Sequence, residues 1–213
     1  FVQIGDENLH LVRSVLDEVF GAENFVMMIT FQKTTSSSGD QLSSVADYLV
    51  CFGKDREQTR IRNLYEVKEA GGVGGTGYTR VLLEDGTERP LTPDELTDSS
   101  LLPAGSRIFA NGDITSQRPA RDNDLKEFHY REQGFTPGAG TFKTNLKGME
   151  RLAIAERLVV TSRNTLAYRR YLDDFPAYQL NNVWTDTVGQ NQFGGKKTYV
   201  VQTALKAVQR CLL

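Results

Sequence analysis

A glycine-rich stretch is the first feature of this sequence whose residue types and spacing could do chemistry. The segment GVGGTG at positions 72–77 matches G-x-G-x-x-G, which in dinucleotide-binding proteins lies between an apolar strand and the start of a helix. Here the preceding run LYEVKEA is charged, and the following run YTRVLL is typical of a strand. A pyrophosphate would therefore not meet a helix N-terminus. A connector explains the stretch better than a nucleotide site does.

Other catalytic motifs are absent from the sequence. It contains neither G-x-x-x-x-G-K-[ST] nor the nucleophile elbow G-x-S-x-G. The two histidines, His10 and His129, are not grouped with carboxylates, so we expect no acid–base pair and no metal site. Cys51 and Cys211 lie in apolar runs, which predicts buried thiols in a reducing compartment. No apolar stretch reaches the roughly 18 residues of a membrane span, so we expect a cytoplasmic protein.

Positive charge is concentrated in one segment. The chain has a formal net charge of −2, but residues 118–170 contain 11 Lys and Arg against 6 Asp and Glu. Such a segment is typical of a surface that faces nucleic-acid phosphates, although a solvent-exposed helix face of mixed charge explains the same count. The candidate phosphate contacts in it are Arg118, Arg121, Lys143, Lys147, Arg169 and Arg170.

Two of these candidates are flanked by aromatic residues. Arg169 and Arg170 lie between Tyr168 and Tyr171. This combination suits phosphate contact or stacking, and a solvated helix face is the alternative. Trp184, the only tryptophan, either lines a DNA cleft or anchors two modules by its burial.

A polar loop follows a predicted strand at 25–31. Lys33, Ser36 and Ser37 belong to this loop, and their side chains suit the positioning of phosphate groups. Loops at strand ends often carry function in open α/β sheets. A mobile surface loop is the alternative.

Strands and helices at both ends of the chain must position these residues. Apolar residues at helical spacing predict a helix over 6–20, with Asp6 as its N-cap and Gly21 as its C-cap. The runs at 25–31 and 46–54 are typical of buried strands that pair as antiparallel neighbours.

The pattern changes between these ends. Residues 56–180 predict an irregular module, with a hairpin turn at Asp85-Gly86 and a helix over 145–158. A strand at 199–201 and a helix that begins near 205 then resume the first pattern. Both termini interrupt apolar runs, so we expect the chain to be the middle of a longer protein.

The opening and closing segments resemble amino-group DNA methyltransferases of the β class, particularly type III modification enzymes. The matching residues are Asp6, Glu7, Asn8, Asp17, Glu18, Val19, Phe20, Gly21, Glu23, Asn24, Phe25, Gln32, Lys33, Asp47 and Tyr48. The stretches NNVWTDT and YVVQTALKAVQR near the C-terminus also match. The resemblance covers about residues 1–55 and 175–213.

The resemblance implies a division of labour. Residues 1–55 and 181–213 would be parts of a Rossmann-like methyltransferase sheet, and 56–180 an inserted α+β target-recognition domain. The substrates would be double-stranded DNA and S-adenosylmethionine, and the acceptor an exocyclic amine of adenine (N6, the favoured choice) or cytosine (N4). A restriction subunit or a second copy of the chain is a candidate partner.

The chemical motifs of that family are missing from this sequence. The Asp-Pro-Pro-Tyr-like tetrapeptide and the glycine-rich cofactor loop do not occur. We therefore expect no catalytic residue in this chain, negligible methylation by it alone and no tight binding of the cofactor. The candidate cofactor contacts are Gln202 and Thr203, although Thr203 and Ala204 replace the Lys and Pro of many relatives. The alternatives are a non-catalytic DNA-binding specificity module and a nucleotide-binding domain unrelated to DNA.

Overall fold

Strands outnumber helices in the structure, a computed structural model that describes residues 1–36, 42–188 and 203–213. It is a mixed α/β structure that divides into two compact units. Unit 1 comprises Phe1–Glu66 and Gln179–Leu213, and unit 2 comprises Val67–Tyr178. The sequence predicted boundaries at about residues 55 and 180, whereas the units divide after Glu66 and after Tyr178. Each helix in the described part of the chain is too short or too polar to span a lipid bilayer.

The helices and strands of the described residues are named in chain order. They are β1 (Val2–Ile4), α1 (Leu9–Phe20), β2 (Phe25–Gln32), β3 (Ala46–Phe52), β4 (Tyr65–Val67), β5 (Arg80–Leu82), β6 (Glu88–Pro90), α2 (Pro93–Thr97), β7 (Arg107–Asp113), β8 (Thr115–Ser116), β9 (Phe128–Tyr130), β10 (Gln133–Phe135), β11 (Thr141–Phe142), α3 (Leu146–Ile154), β12 (Leu158–Val160), β13 (Leu166–Tyr171), β14 (Ala177–Gln179), β15 (Val183–Trp184) and α4 (Leu205–Leu212). The predicted strand at 199–201 lies outside the described residues.

The sheet of unit 1 has the strand order β1-β3-β2-β15. β3 is antiparallel to both of its neighbours, so β1 and β2 run in the same direction, and β15 is parallel to β2. The predictions of β2 and β3 as antiparallel neighbours are confirmed. Because side chains alternate between the faces of a strand, Phe52 points to the face opposite Leu49 and Cys51. Phe52 contacts Phe20 of α1.

The other face of this sheet packs against α4. Ala207 of α4 is buried in a cluster with Ile29, Phe31, Leu49 and Trp184. The helix predicted from position 205 is therefore confirmed as α4. Trp184 is buried within unit 1, and its indole Nε1 donates a hydrogen bond of 2.8 Å to the backbone oxygen of Asn181.

A charged network also holds α4. The two Nη atoms of Arg210 donate to the carboxylate of Asp186 at 2.8 and 2.6 Å, and Nη2 also contacts Glu66. The Arg210 guanidinium lies 5.0 Å from the centre of the Trp184 ring. Arg210 and then Lys206 hold the pKa of the Asp186 carboxyl well below its usual range. The network therefore consists of charged groups at neutral pH.

The first helix starts later than predicted. Residues Asp6–Asn8 form a 3-10 helix, and α1 begins at Leu9. Asp6 as N-cap was wrong, because its carboxylate accepts from the backbone N–H of Glu7 at 3.1 Å and from the hydroxyl of Ser44 at 3.2 Å. Gly21 is confirmed as the C-cap. It has a φ of +85°, which glycine adopts without strain, and donates to the backbone oxygen of Asp17 at 3.0 Å.

Unit 2 is built on a five-stranded antiparallel sheet with the order β12-β13-β7-β5-β6. Two smaller sheets pair β9 with β10 and β8 with β11. The core of this unit packs around the buried Met149 of α3 and includes Ile114, Phe128 and Leu166. The sheet makes unit 2 more regular than we expected.

The local predictions in unit 2 are correct for the hairpin and only partly correct for the helix. The hairpin at Asp85-Gly86 is confirmed, since β5 pairs with β6 and Gly86 has a φ of +84°. The helix predicted over 145–158 ends at Ile154, and the chain then enters β12. Arg169 and Arg170 lie on a strand, β13, and not on a helix face.

The glycine-rich stretch has a packing role in the loop before β5. Gly74 has a φ of +71° and lies against the ring of Tyr178. A Cβ atom at Gly75 would overlap the backbone oxygen of Glu69. The next regular element after these glycines is strand β5, so this loop does not lead into a helix N-terminus.

The two thiols are free. The prediction of a buried thiol is confirmed for Cys51, whereas Cys211 is half-buried. Burial raises the pKa of both thiols. They are therefore weakly reactive at neutral pH.

Helix α2 carries a pH-dependent cap. The Glu95 carboxylate accepts two hydrogen bonds from Arg89, at 2.6 and 2.7 Å, and one of 2.9 Å from the backbone N–H of Thr92. Arg89 and then Thr92 lower the pKa of Glu95 to about 2. Glu95 therefore stabilises the fold above its unfolded pKa of about 4.3, and this stabilisation is lost as the pH falls towards 2.

We expect Glu95→Gln to lower the free energy of unfolding at pH 7 and to leave it nearly unchanged at pH 2. Urea denaturation at pH 7, 4.5 and 2 measures this difference. Glu150→Gln, at an exposed position of α3, is the matched control. An equal effect of Glu95→Gln at all three pH values would contradict the role of the ionised carboxylate.

Candidate functional site

A polar cluster lies at the edge of the unit 1 sheet where β1 and β2 end and β3 begins. Lys33 follows β2, and its Nζ donates to Asp47 Oδ1 at 2.7 Å. Gln3 of β1 donates from Nε2 to the other carboxylate oxygen at 3.3 Å. The hydroxyl of Thr203, just before α4, donates to Gln3 Oε1. We call Gln3, Asp6, Lys33, Ser44, Asp47 and Thr203 the strand-end cluster.

Topology explains why these residues meet. β1 and β2 run in the same direction, so their carboxyl ends lie at one edge, and the antiparallel β3 begins there. Asp6 follows β1 and is joined to Ser44, which precedes β3. Open α/β sheets bind ligands at the carboxyl ends of their parallel strands. The cluster lies at the corresponding end of β1 and β2.

The electrostatics of the cluster keep Lys33 in its charged form. The hydrogen bond to Asp47, together with the charges of Asp47, Asp6 and Glu7, raises the pKa of Lys33 above its usual value. Lys33 is therefore an ammonium group at neutral pH and a hydrogen-bond donor, not a base. Its side chain is 43% exposed, so it can still reach a solvent-borne group.

The cluster does not by itself form a site for S-adenosylmethionine. Of the two candidate cofactor residues, Gln202 lies outside the described residues. The hydroxyl of Thr203 already donates a hydrogen bond to Gln3. No three His, Cys, Asp or Glu side chains among the described residues are grouped to hold a metal ion.

The remaining loop candidates have separate positions. Ser36 is exposed, and its backbone oxygen accepts from the Thr34 hydroxyl at 2.9 Å. Ser37 lies outside the described residues. The structure thus joins Lys33 and Thr203 through Gln3 and Asp47, but it does not bring Ser36 into this group. Gln3 is a residue that sequence reasoning missed, because an amide in a short strand is not a recognisable motif.

Arg118 and Arg121 share one exposed loop of unit 2. The carboxylate of Asp124 accepts from the Arg118 guanidinium at 2.8 Å and from the backbone N–H of Arg121 at 2.6 Å. Arg118 is therefore anchored to the loop. The guanidinium of Arg121 is exposed and has no ion pair within the described residues.

Lys143 and Lys147 lie at the start of α3. Lys143 donates from Nζ to the backbone oxygen of Asp113 at 2.6 Å, which ties it to the end of β7. Lys147 is exposed in the first turn of α3, which Asn145 caps by accepting from the backbone N–H of Gly148 at 3.0 Å. Lys147 is thus the more accessible of the two.

Arg169 and Arg170 point to opposite faces of β13. The side chain of Arg169 is only 11% exposed, forms an ion pair with Glu88 and lies 4.6 Å from the centre of the Phe109 ring. Arg170 is exposed, with Tyr168 at 5.5 Å and Tyr78 at 5.9 Å. Arg170 can contact a phosphate as it stands, whereas Arg169 has a partner inside its own unit.

Sequence reasoning also missed a basic stretch of unit 1 that follows β3. Lys54, Arg56, Arg60 and Arg62 are all exposed. Asp55, between the first two, is used by the turn itself, since it accepts from the backbone N–H of Glu57 at 3.0 Å. The density of Lys and Arg over 54–62 was the signal that could have revealed it.

Comparison with known proteins gives a partial similarity. No protein-family model matches the chain. Over 59 residues the chain is 34% identical to the type II methyltransferase M.EcaI of Enterobacter cloacae. The match covers 27% of this chain and 13% of that methyltransferase. The chain is therefore similar to a small part of a methyltransferase.

Proposed function

We propose that this chain is part of a DNA methyltransferase, which transfers a methyl group from S-adenosylmethionine to an exocyclic amine in DNA. The observation that carries the proposal is the 34% identity to M.EcaI over 59 residues. The strand order of unit 1 and its strand-end cluster agree with it, because they offer a ligand position at the carboxyl ends of parallel strands. Adenine N6 is our first choice of acceptor, and cytosine N4 is the second.

The two units would have different tasks. Unit 1 would supply part of the sheet that positions the reacting groups, and unit 2 would supply DNA recognition. The exposed Arg121, Lys147 and Arg170 support contact of unit 2 with phosphates. When bound, S-adenosylmethionine supplies the methyl group. In this chain Lys33, held by Asp47, would donate a hydrogen bond to a DNA phosphate beside the target base.

The proposal extends to partners and location. The partner is double-stranded DNA, with a restriction subunit or a second copy of the chain as a further candidate. The protein would act in the cytoplasm. A second candidate function is a non-catalytic module that confers DNA specificity, and the exposed basic residues in both units favour it equally well.

A sequencing experiment separates these two functions. The complete open reading frame that contains this sequence is expressed in a bacterial host without DNA methylation. The host DNA is then sequenced for N6-methyladenine and N4-methylcytosine. Methylation at one recurring short sequence supports the methyltransferase. Specific DNA binding without any modified base would leave the specificity module as the better explanation.

We expect Arg170→Ala to weaken binding of the chain to all duplexes alike. If Arg170 contacts one phosphate, the slope of log affinity against log salt should become shallower by about one unit. Fluorescence anisotropy of a labelled duplex across a salt series measures this slope. Arg163→Ala, at an exposed position in the turn before β13, is the control with the same loss of charge.

Arg169→Ala should behave differently from Arg170→Ala. Its loss leaves Glu88 without the ion-pair partner seen here and uncovers the Phe109 ring, so its main effect should be on the stability of unit 2. An unchanged salt slope in Arg170→Ala would remove Arg170 from the DNA interface. Salt-independent binding by the unmutated chain would contradict DNA recognition through phosphates.

A further inference from the structure

Unit 2 contains a cavity of about 590 Å³ on one face of its five-stranded sheet. Four arginines line it, namely Arg107, Arg131, Arg157 and Arg169. The acidic residues in its lining are Glu88 and Glu156. Asp173 and Asp174 outside the lining pair with Arg107 and Arg157, so any attraction for an anion comes from unused guanidinium N–H donors and not from net charge.

Aromatic rings hold these arginines in place. The guanidinium carbons of Arg107 and Arg157 lie 3.6 and 4.3 Å from the centre of the Tyr171 ring. Arg131 lies 5.2 Å from the ring of Tyr130. Stacked guanidinium groups lose little conformational entropy when they bind a ligand. The cavity is therefore organised before any anion arrives.

Carboxylates behind the cavity use only part of the donor capacity of these arginines. Arg107 donates from Nη2 to Asp173 at 2.9 and 3.0 Å. Arg157 donates from its two Nη atoms to Asp174 at 2.6 and 2.8 Å. A guanidinium has five N–H donors, so each arginine keeps N–H groups for a further acceptor.

One of the remaining donors is buried without a partner. The Nε of Arg169 has no hydrogen-bond acceptor among the described residues and is inaccessible to solvent. An unpaired buried N–H is costly, and most such groups in folded proteins are paired. Because Nε is closed to solvent, it is also closed to an anion in the cavity, and the donors available to a ligand are those of the more exposed Arg107, Arg131 and Arg157.

Two residues of the cavity lining have a positive φ. Arg131 has a φ of +51° in the turn between β9 and β10, and Glu156 has a φ of +53°. Arg131 and Glu132, whose φ is +65°, form the two-residue turn of this hairpin, and positive φ at both central residues is the usual geometry of such a turn. The turn places the Arg131 side chain in the cavity lining.

We infer that this arginine cavity binds a phosphate group. The fork of N–H donors on a guanidinium matches the oxygen atoms of a phosphate, and paired forks bind it with directional hydrogen bonds. The phosphate belongs either to the backbone of DNA or to a free phosphate compound. The first source rests on the proposed function, and the second does not.

Titration of the full chain with pyrophosphate by isothermal calorimetry tests this site. Arg131→Gln should weaken pyrophosphate binding about tenfold, which corresponds to the loss of one hydrogen bond to a charged group. Arg131→Gly should weaken it as much and leave the melting temperature equal or higher, because glycine adopts the same φ without strain. Arg163→Gln, an exposed arginine in the turn before β13 and outside the cavity lining, should bind as the unmutated chain does.

Absence of pyrophosphate binding by the folded chain overturns the inference, and so does equal weakening in the Arg131 and Arg163 variants. A competition arm identifies the source of the phosphate. Displacement of pyrophosphate by a short duplex assigns the cavity to the DNA backbone. Pyrophosphate binding that depends on Arg131, together with no binding of duplex DNA, keeps the site for a free phosphate compound and removes the proposed function. Duplex binding without pyrophosphate binding keeps the proposed function and overturns the inference of a phosphate site.

Discussion

Replacing Arg210 with methionine will loosen α4 from the sheet of unit 1 and lower the free energy of unfolding by about 2–3 kcal/mol. The Arg210 side chain is only 5% exposed, and it joins Asp186, Glu66 and the face of Trp184. Loss of one partner from a fully buried ion pair costs more, about 3–5 kcal/mol. Here the carboxylates of Glu66 and Asp186 are 29% and 36% exposed, so water partly compensates them.

The effect of Arg210→Met has a convenient reporter. Trp184 is the only tryptophan, so its fluorescence during urea denaturation follows unit 1 alone. Lys206→Met is the matched control, because Lys206 pairs with the same two carboxylates but is 28% exposed, against 5% for Arg210. We expect a smaller loss for Lys206→Met. An equal loss in both variants would assign the effect to charge alone.

The pH dependence of this network has a definite sign. The pKa of Asp186 is held below its usual value, so Asp186 stabilises unit 1 above its unfolded pKa of about 3.9. This contribution is lost as the pH falls further. In Arg210→Met the pKa of Asp186 returns towards its usual value, so the variant should lose less stability on acidification than the unmutated chain does.

Replacing Phe109 with alanine should lower the free energy of unfolding by about 3–5 kcal/mol, the range for a large buried aromatic side chain. Phe109 is 0% exposed and lies in the central strand β7, opposite Arg80 on β5 and Tyr171 on β13. The centres of the Phe109 and Tyr171 rings are 6.4 Å apart, and the ring planes form an angle of 72°. The guanidinium of Arg169 lies over the Phe109 ring. The cavity left behind would lie on the face that β5, β7 and β13 share at this position.

Denaturation followed by far-ultraviolet circular dichroism measures the effect of Phe109→Ala, and hydrogen exchange locates it. Exchange should accelerate in peptides from β7 and β13. Phe175→Ala removes the same side chain from a position that is 60% exposed, and it should cost less than about 1 kcal/mol. Similar losses in the two variants would show that Phe109 is not a core residue of unit 2.

Local sequence patterns were sufficient for the longer elements of unit 1 but not for its short strand β15. Apolar spacing identified α4, and continuous apolar runs identified β2 and β3, since β3 buries Leu49, Val50 and Cys51 on both of its faces. The start of α1 was wrong because the Asp6 side chain contacts Ser44, which is 38 positions away in the sequence. Whether a side chain caps a helix depends on which other hydrogen-bond partners are within its reach, and some of these partners are distant in the sequence.

The candidate sites were less predictable for the same reason. The charge count over 118–170 located a basic segment, but it could not separate Arg169 from Arg170. The strand β13 sends the two side chains to opposite faces, and Glu88, 81 positions away, pairs with only one of them. The strand-end cluster likewise joins Gln3 to Thr203, across 200 positions. Such pairs depend on strand order, which composition and periodicity do not determine.

The pairing of β4 with β14 has a consequence for how such a protein evolves. These strands lie side by side where the chain passes into unit 2 and returns, so the two ends of the inserted segment are neighbours. A segment with adjacent ends can be exchanged as a cassette without a change in the register of the host sheet. Under the proposed function, one recombination event at these two short strands would replace a whole DNA specificity.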